Sequence, residues 1–186
     1  IRIKKMSTCS VSSLYALGFM INNIALIDEV YAMVVNTFKT TNNMDVYVEV
    51  YDIISKNIPT DTYSIVSGKL YIAYYDIIKR KKVVRTKYTS NDDLIESIRR
   101  SGFVPYLIDR KFTIDGKYID GITPYIFKNC ANKRVIYLQL VNMHNIIHTI
   151  SVKNEKNSIR RILTGVLDAH QFFATKTQTT MCSYMN

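Results

Sequence analysis

Five residues near the start of the chain, Thr8-Cys9-Ser10-Val11-Ser12, have the types and order of a nucleophile turn. In such a turn a strand leads through a sharp bend into a helix, and the bend exposes the serine hydroxyl. The positions two before and two after the serine must be small, because strand and helix pack closely there. The Val11 N–H and the helix N-terminus would face a developing oxyanion. The same letters suit a plain serine-rich helix cap, so both interpretations stay open.

The cysteines and histidines form no pattern that predicts a metal site or a disulfide framework. Cys9, Cys130 and Cys182 are odd in number and widely spaced, which favours a reducing compartment. His144 and His148 form H-x-x-x-H, but no Glu lies between them and no third ligand is evident. We therefore expect no bound metal, and two polar histidines in a loop or at a sheet edge.

The net charge of +10 favours anionic partners such as phospholipid surfaces, nucleic acid or acidic proteins. The densest basic cluster lies between two predicted strands and comprises Lys79, Arg80, Lys81, Lys82, Arg85 and Lys87. It is either the solvated loop of a hairpin or a contact with an anionic membrane surface. No nucleic-acid motif accompanies it and the 14 tyrosines are scattered, so nucleic-acid binding is the weakest interpretation.

Hydrophobic periodicity divides the chain into alternating strands and helices. Strands are predicted at 1–6, 70–78, 83–88, 117–120 and 134–140. Helices are predicted at 12–37 with a break near Asn22–Asn23, at 45–57 ahead of Pro59, at 91–100 behind a Ser90 cap, and at 158–173. On the last helix Ile159, Ile162, Leu163, Val166 and Leu167 form one apolar face. This alternation predicts an α/β layered domain with a largely buried sheet.

One domain over 1–173, followed by a polar exposed tail over 174–186, is the simplest division of a chain of 186 residues. No run of 18 uncharged apolar residues predicts a membrane span, and no signal peptide is visible. The chain starts at Ile1 inside a predicted strand, so we expect that a piece of the domain precedes it.

The order of elements and motifs over about 5–127 resembles the patatin-like phospholipases, in particular the branch of adipose triglyceride lipase and adiponutrin. The stretches that carry the resemblance are SVSSLYAL (10–17), IPTDTYSIVSGKLYIAYYDI (58–77), KVVRTKYTSNDDLIESIRRSGFVPYLI (82–108) and GKYIDGITPYIF (116–127). In the family a proline is followed by two strands, a capped helix, S-x-x-x-P and Y-x-D-G. Here the proline is Pro59, the strands are 70–78 and 83–88, and Ser90 caps the helix. Ser101 with Pro105 supplies S-x-x-x-P, and Tyr118 with Asp120-Gly121 supplies Y-x-D-G.

The resemblance implies a three-layer α/β fold with a mainly parallel central sheet and a Ser–Asp catalytic dyad. Ser10 would attack an ester carbonyl, and Asp120 would accept its proton directly without a histidine. Val11 would donate to the oxyanion, and Thr8, Ser12 and Gly121 would shape the turns. No metal or organic cofactor is implied. Taken alone, Asp120-Gly121 also suits an ordinary Asp-Gly turn.

The sequence departs from the family pattern at three places. Thr8 and Ser12 stand where the family has the glycines of G-x-S-x-G, and Ile122 stands where D-G-G/A has its last residue. The glycine-rich oxyanion loop that precedes the nucleophile in the family is not contained in the chain. Loss of one such donor typically costs about 10²–10³ in rate.

Two functions follow from these observations. The first is a serine acylhydrolase for lipid carboxyl esters, held at a membrane surface by its basic residues. The second is a catalytically inactive patatin-like fold that serves as a structural or interaction protein. The excess of Ile, Lys, Asn and Tyr suggests an AT-rich genome, such as that of a large DNA virus, where such a fold would serve in the particle. Either function fits a cytoplasmic, membrane-peripheral or virion-associated protein.

Overall fold

Four strands between Met6 and Asp120 form a mixed sheet around one central strand. The structure is a computed structural model that describes residues 3–41, 46–106, 110–128, 134–139 and 155–185. The chain forms two compact units, Ile1–Ile126 and Phe127–Asn186. In chain order the elements are β1 (Met6–Cys9), α1 (Ser12–Met20), α2 (Ile24–Thr41), α3 (Val46–Asn57), α4 (Thr62–Val66), β2 (Leu70–Asp76), β3 (Lys81–Arg85), α5 (Asn91–Ser101), β4 (Tyr118–Asp120), β5 (Val135–Leu138), α6 (Glu155–Thr175) and β6 (Cys182–Met185).

The strand β2 has β3 along one edge and both β1 and β4 along the other. β1 runs parallel to β2, whereas β3 and β4 run antiparallel to it. Since β3 pairs with β2 over Ile72 to Asp76, β4 can pair with Tyr74 to Asp76 only on the opposite edge, just beyond the end of β1. The expected α/β class is confirmed, but the expectation of a mainly parallel sheet is wrong for the described strands.

The helices α1 and α5 pack on one face of this sheet. Thr8 of β1 contacts Ser13 of α1, and Arg100 of α5 lies over the ring of Tyr118 on β4. Tyr118 and Thr8 point to the same side, because side chains alternate along each strand and match across paired strands. Alternate β2 residues such as Tyr71 and Tyr75 point to the other side and are half-buried.

The core of the first unit lies between the helices and the sheet. The members that are almost fully buried include Leu17, Val50, Ile54, Val66, Leu70, Ile72, Leu94 and Ile98. Leu94 and Ile98 lie four residues apart on α5, which is the spacing that places side chains on one helix face. Gly18 brings α1 close to α2, since a Cβ at Gly18 would lie 2.5 Å from Ile27 Cγ1.

Most predicted elements are present, with shifted ends. The predicted break near Asn22–Asn23 separates α1 from α2, and Asn22 has φ +56°. Ser90 caps α5 as predicted, because its hydroxyl accepts the Asp93 N–H at 3.1 Å. The first strand, predicted at 1–6, instead covers Met6–Cys9; residues 1–2 lie outside the described part. Helix α4 was not predicted.

The second unit contains β5, α6 and β6. β5 and β6 pair antiparallel with Leu138 opposite Cys182, and Phe172 of α6 lies 4.8 Å from Tyr184 of β6 between ring centroids. The expected exposed tail 174–186 is therefore wrong at its end, where Cys182 is buried in a strand. Four of the five residues predicted to form the apolar face of α6, Ile162, Leu163, Val166 and Leu167, are 56–67% exposed, and the side chain of the fifth, Ile159, lies outside the described part. Among the described helices, none combines the length and apolar character needed to cross a membrane.

Candidate active site at the junction of β1, β4 and α1

Strand register brings Ser10 and Asp120 to the same point of the sheet. Cys9, the last residue of β1, pairs with Ala73, and Asp120, the last residue of β4, pairs with the next β2 residue, Tyr74. The two strands thus approach each other end to end along one edge of β2. Ser10 directly follows the end of β1 at this gap, and Asp120 lies on the opposite side of the gap, at the end of β4.

Ser10 occupies the strained turn between β1 and α1. Its φ is +58°, in the left-handed region that residues with a Cβ seldom adopt. The next residue, Val11, is already helical, with φ −57° and ψ −25°. The Ser10 carbonyl accepts the Ser13 N–H at 3.1 Å, which joins the turn to the helix. A strand, a left-handed serine and a helix in direct succession are what the nucleophile turn requires.

Buried hydroxyl groups hold this turn through hydrogen bonds. Ser101, at the end of α5, accepts the Ser10 N–H at 2.9 Å and donates to the Ala73 carbonyl at 2.7 Å. Ser13 Oγ lies 3.4 Å from Ser101 Oγ and 3.1 Å from Thr8 Oγ1. This role of Ser101 was not predicted from the sequence. Its signal was the position of a small polar residue on the buried face of α5, in line with Leu94 and Ile98.

The two residues that replace the expected glycines make specific hydrogen bonds. Thr8 is buried, and its hydroxyl lies 3.3 Å from the Tyr71 carbonyl, to which it donates. The Ser12 hydroxyl donates to the Cys9 carbonyl at 2.6 Å. Thr8 therefore directs its extra bulk toward β2 and α1, and the turn at Ser10 keeps its bent form.

Asp120 is held by its backbone and is largely desolvated. Its N–H donates to the Phe103 carbonyl at 2.8 Å, and its Oδ1 accepts the Ile122 N–H at 2.7 Å. Burial raises the pKa of Asp120, and the Ser10 hydroxyl and the Ile122 N–H oppose that rise. The Ser10 hydroxyl thus faces the carboxyl group, although Oδ2 is buried without a direct hydrogen bond from any described residue. This hydroxyl acts on the pKa of Asp120 without a direct hydrogen bond to Oδ2, and such bonds often form only when substrate binds.

Gly121 and Ile122 shape the chain directly after Asp120. A Cβ at Gly121 would lie 2.2 Å from the Ala73 carbonyl oxygen, so only glycine fits against β2 there. Ile122 has φ +59°, which is unfavourable for a β-branched residue, and it is 77% exposed.

The start of α1 offers an unpaired donor beside Ser10. The Val11 N–H makes no hydrogen bond with any described residue, and Val11 is 43% exposed. First-turn N–H groups lack partners within a helix and carry partial positive charge. The predicted oxyanion donor therefore has no hydrogen-bond partner among the described residues.

Cys9, adjacent to Ser10, is unsuited to act as the nucleophile. Burial and the charge of Asp120 raise the pKa of its thiol to about 11, despite the opposing charge of Lys82. The thiol is protonated near neutral pH, and the thiolate is the reactive form.

The basic cluster lies on the β2–β3 hairpin, as predicted, and its members have different environments. Arg85 forms an ion pair with Asp93, with 2.6 Å between Nη2 and Oδ2, and so has a structural role. Lys82 donates to Thr123, three residues after Asp120, and its charge acts on Cys9. Lys79, Lys81 and Lys87 are exposed, and Arg80 turns the hairpin with φ +49°.

The predicted polar histidines, His144 and His148, lie outside the described residues, as does Cys130. In the described part of the chain no three His, Cys, Asp or Glu side chains are grouped so that they could hold a metal ion.

Comparison with known proteins adds no relative to this picture. No protein-family model, curated protein or solved structure matches the chain significantly. The resemblance to patatin-like phospholipases therefore stays a prediction that depends on the residues quoted for it.

Proposed function

We propose that this chain is a serine acylhydrolase that cleaves lipid carboxyl esters through a Ser10–Asp120 dyad, in a domain of the patatin-like three-layer type. The observation that carries the proposal is the left-handed Ser10 at a strand–helix turn, beside the buried carboxyl of Asp120. Such strain in a non-glycine residue is common at functional sites. A plain helix cap would not need it, and Ser10 does not cap α1, whose N-terminal cap position is Val11.

The reaction follows from the positions of these groups. Ser10 Oγ attacks the ester carbonyl carbon while Asp120 takes the hydroxyl proton, and the carbonyl oxygen becomes an oxyanion at the Val11 N–H. Collapse breaks the ester bond, and the leaving alkoxide receives the proton from Asp120. Water then attacks the acyl-serine with Asp120 again as the base, which releases the acid and restores Ser10. A carboxylate with a raised pKa is a stronger base for both steps.

The surroundings of the dyad support a lipid ester as the substrate. Val11 and Ile122, the residues that follow Ser10 and flank Asp120, are apolar and exposed. An acyl chain would find apolar contacts there. The charge of Lys82, on the adjacent hairpin, would favour an anionic headgroup or surface.

A fluorophosphonate probe tests the proposal on the full chain. We expect covalent labelling that Ser10→Ala abolishes, because the probe reacts only with an activated serine. Ser64→Ala, at an exposed serine of α4, is the matched control and should label like the wild type. Failure of a folded wild type to label would remove the hydrolase proposal; intact mass and peptide mapping identify the labelled residue.

A second candidate is a non-catalytic interaction protein with the same fold. The observation that favours it is the open apolar face of α6, where Ile162, Leu163, Val166 and Leu167 are exposed. Monomers seldom expose contiguous apolar patches without a binding role. An unlabelled protein whose assembly mass, measured by light scattering, falls on Leu163→Lys would favour this candidate.

A further inference from the structure

Ser101 joins three elements through one hydroxyl group. It is the last residue of α5 and is fully buried. The hydroxyl accepts the Ser10 N–H at 2.9 Å and donates to the Ala73 carbonyl of β2 at 2.7 Å. Strand β2, helix α5 and the β1–α1 turn are therefore linked at a single atom.

The protons of the surrounding hydroxyls can be assigned by elimination. A serine hydroxyl has one proton and two acceptor sites. The Ser101 proton points to Ala73, so its oxygen is an acceptor for Ser10 and is open to Ser13. The Thr8 proton points to Tyr71, so the Ser13 hydroxyl donates to either Thr8 or Ser101. Every hydroxyl in the group then has a donor role that agrees with its neighbours.

A buried serine with a purely local role makes its hydrogen bond within its own helix, and α5 contains one such serine. Ser97 lies one turn earlier, is also buried, and donates to the Asp93 carbonyl of its own helix at 2.8 Å. Ser101 makes its bonds outside the helix, to strand β2 and to the β1–α1 turn. Ser101 accepts a hydrogen bond from the N–H of Ser10, the residue with the unfavourable φ of +58°.

We propose that Ser101 is a positioning residue that holds Ser10 in its left-handed conformation by accepting its backbone N–H. The constraint passes from β2 through Ser101 to the turn, so that the Ser10 hydroxyl is kept toward Asp120. This inference rests on the proposed hydrolase function where it concerns catalysis, but the constraint on Ser10 is a property of the fold. Loss of one such contact can misplace a nucleophile by enough to cost up to about 100-fold in rate.

Three variants separate positioning from packing. Ser101→Ala removes the acceptor and leaves a small void. Ser101→Cys fills the space with a somewhat larger atom that accepts hydrogen bonds weakly. Ser97→Ala is the matched control, since it removes a hydroxyl with the same burial from the same helix.

The first readout is amide hydrogen exchange of Ser10, measured by NMR on the full chain. We expect exchange at Ser10 to become at least about tenfold faster in Ser101→Ala and Ser101→Cys, because one hydrogen bond is lost. Protection of the β1 amides that pair with β2 should change little, and Ser97→Ala should leave Ser10 as in the wild type. Unchanged protection at Ser10 in both Ser101 variants would overturn the proposal.

The second readout is fluorophosphonate inactivation, separated into probe affinity and the rate of the covalent step. We expect the covalent step to slow by about 10- to 100-fold in both Ser101 variants with unchanged affinity. Ser97→Ala should alter neither. A wild type that never labels would remove the hydrolase function, and amide exchange would still decide whether Ser101 holds Ser10. A wild type that labels, with Ser101 variants that label equally fast, would overturn the positioning role alone.

Discussion

Asp120 is the residue whose chemistry depends most on its surroundings. Its carboxyl is buried, one oxygen accepts the Ile122 N–H, and the other lacks a direct partner within the described residues. Burial disfavours the charged form, and this raises the pKa of the group above the usual aspartate range. The fold therefore keeps a carboxyl group that binds protons more tightly when folded than when unfolded.

This difference between the folded and unfolded pKa of Asp120 predicts how stability and reactivity depend on pH. Because the folded pKa of Asp120 is raised, its contribution to stability is fully present below the unfolded pKa and is lost as pH rises through the folded pKa. We expect Asp120→Asn to gain stability relative to the wild type as pH rises, and to lose Ser10 labelling. Wild-type labelling should increase with pH as Asp120 loses its proton. Urea unfolding and labelling rates from about pH 4 to pH 8 measure both effects.

Asp115 provides the control with the opposite sign. Partial burial raises the pKa of Asp115, but hydrogen bonds and ion pairs with Arg100 and Arg99 outweigh it, and the pKa is lowered. Its contribution is present above the unfolded pKa and is lost as pH falls through the folded pKa. Asp115→Asn should therefore lose stability relative to the wild type as pH rises. The same pH trend in both variants would contradict our assignment of the Asp120 environment.

At the scale of elements, the end-to-end approach of β1 and β4 along β2 creates the site. The approach is close because Gly121, which has no side chain, lies directly against the Ala73 carbonyl. The same carbonyl accepts a hydrogen bond from the Ser101 hydroxyl. One backbone carbonyl of β2 thus lies against the turn after Asp120 and beneath the turn at Ser10.

Gly121→Ala tests this arrangement. Its Cβ would lie 2.2 Å from the Ala73 oxygen and 2.7 Å from the Ala73 carbonyl carbon, so strand β4 must move. We expect a loss of about 1–3 kcal/mol in unfolding free energy, with slower labelling because Asp120 moves with β4. Gly165→Ala is the control. Its nearest neighbour would be Met181 Sδ at 4.0 Å, and alanine in helix α6 should add roughly 0.5–1 kcal/mol. Equal stability of the two variants, in urea unfolding, would contradict the close approach.

The sequence predicted elements well where local signals dominate. Ser90 followed by Asp93 fixes the start of α5, and the periodic Leu94 and Ile98 fix its buried face. Strand β1 was misplaced because its residues Ser7, Thr8 and Cys9 lack the apolar alternation of a strand. Thr8 is nevertheless buried, because Ser13 and Tyr71 satisfy its hydroxyl.

Part of the site could be predicted and part could not. Ser10 and Asp120 belong to short motifs, so their types and local turns were visible in the sequence. Ser101 lies 91 positions from Ser10, and the bond between them depends on how α5 packs against the sheet. No local pattern encodes such a contact. The pairing of β5 with β6 was missed for the same reason, since a Thr-rich segment resembles a tail until its partner strand is known.

At the scale of the whole molecule, both site residues and the buried core cluster belong to the first unit. The core residues lie between Leu14 and Ile114. The charge is distributed differently. Of the 25 basic and 15 acidic residues, 17 and 13 lie in 1–126, so this unit carries +4 and residues 127–186 carry +6. The shorter unit therefore carries the larger share of the net positive charge that favours anionic partners.

A chain that ends at Ile126 should fold cooperatively and keep Ser10 labelling, because it contains the core, the turn and Asp120. Circular dichroism during urea unfolding, together with the fluorophosphonate probe, measures both properties. The same fragment with Ser10→Ala controls for nonspecific labelling. A fragment that unfolds without cooperativity would show that the first unit needs residues beyond Ile126.

The meeting of Ser10, just after β1, with Asp120, at the end of β4, also bears on how the chain acquires its native state. The two residues are 110 positions apart in sequence, and closing so long a loop is entropically costly and slow. An early intermediate could form α1 and its turn from local contacts, yet it would lack β4 and hence the base. Reactivity at Ser10 would then appear only with the last docking event. In a stopped-flow refolding experiment, the time at which Ser10 labelling appears would report when the sheet is complete.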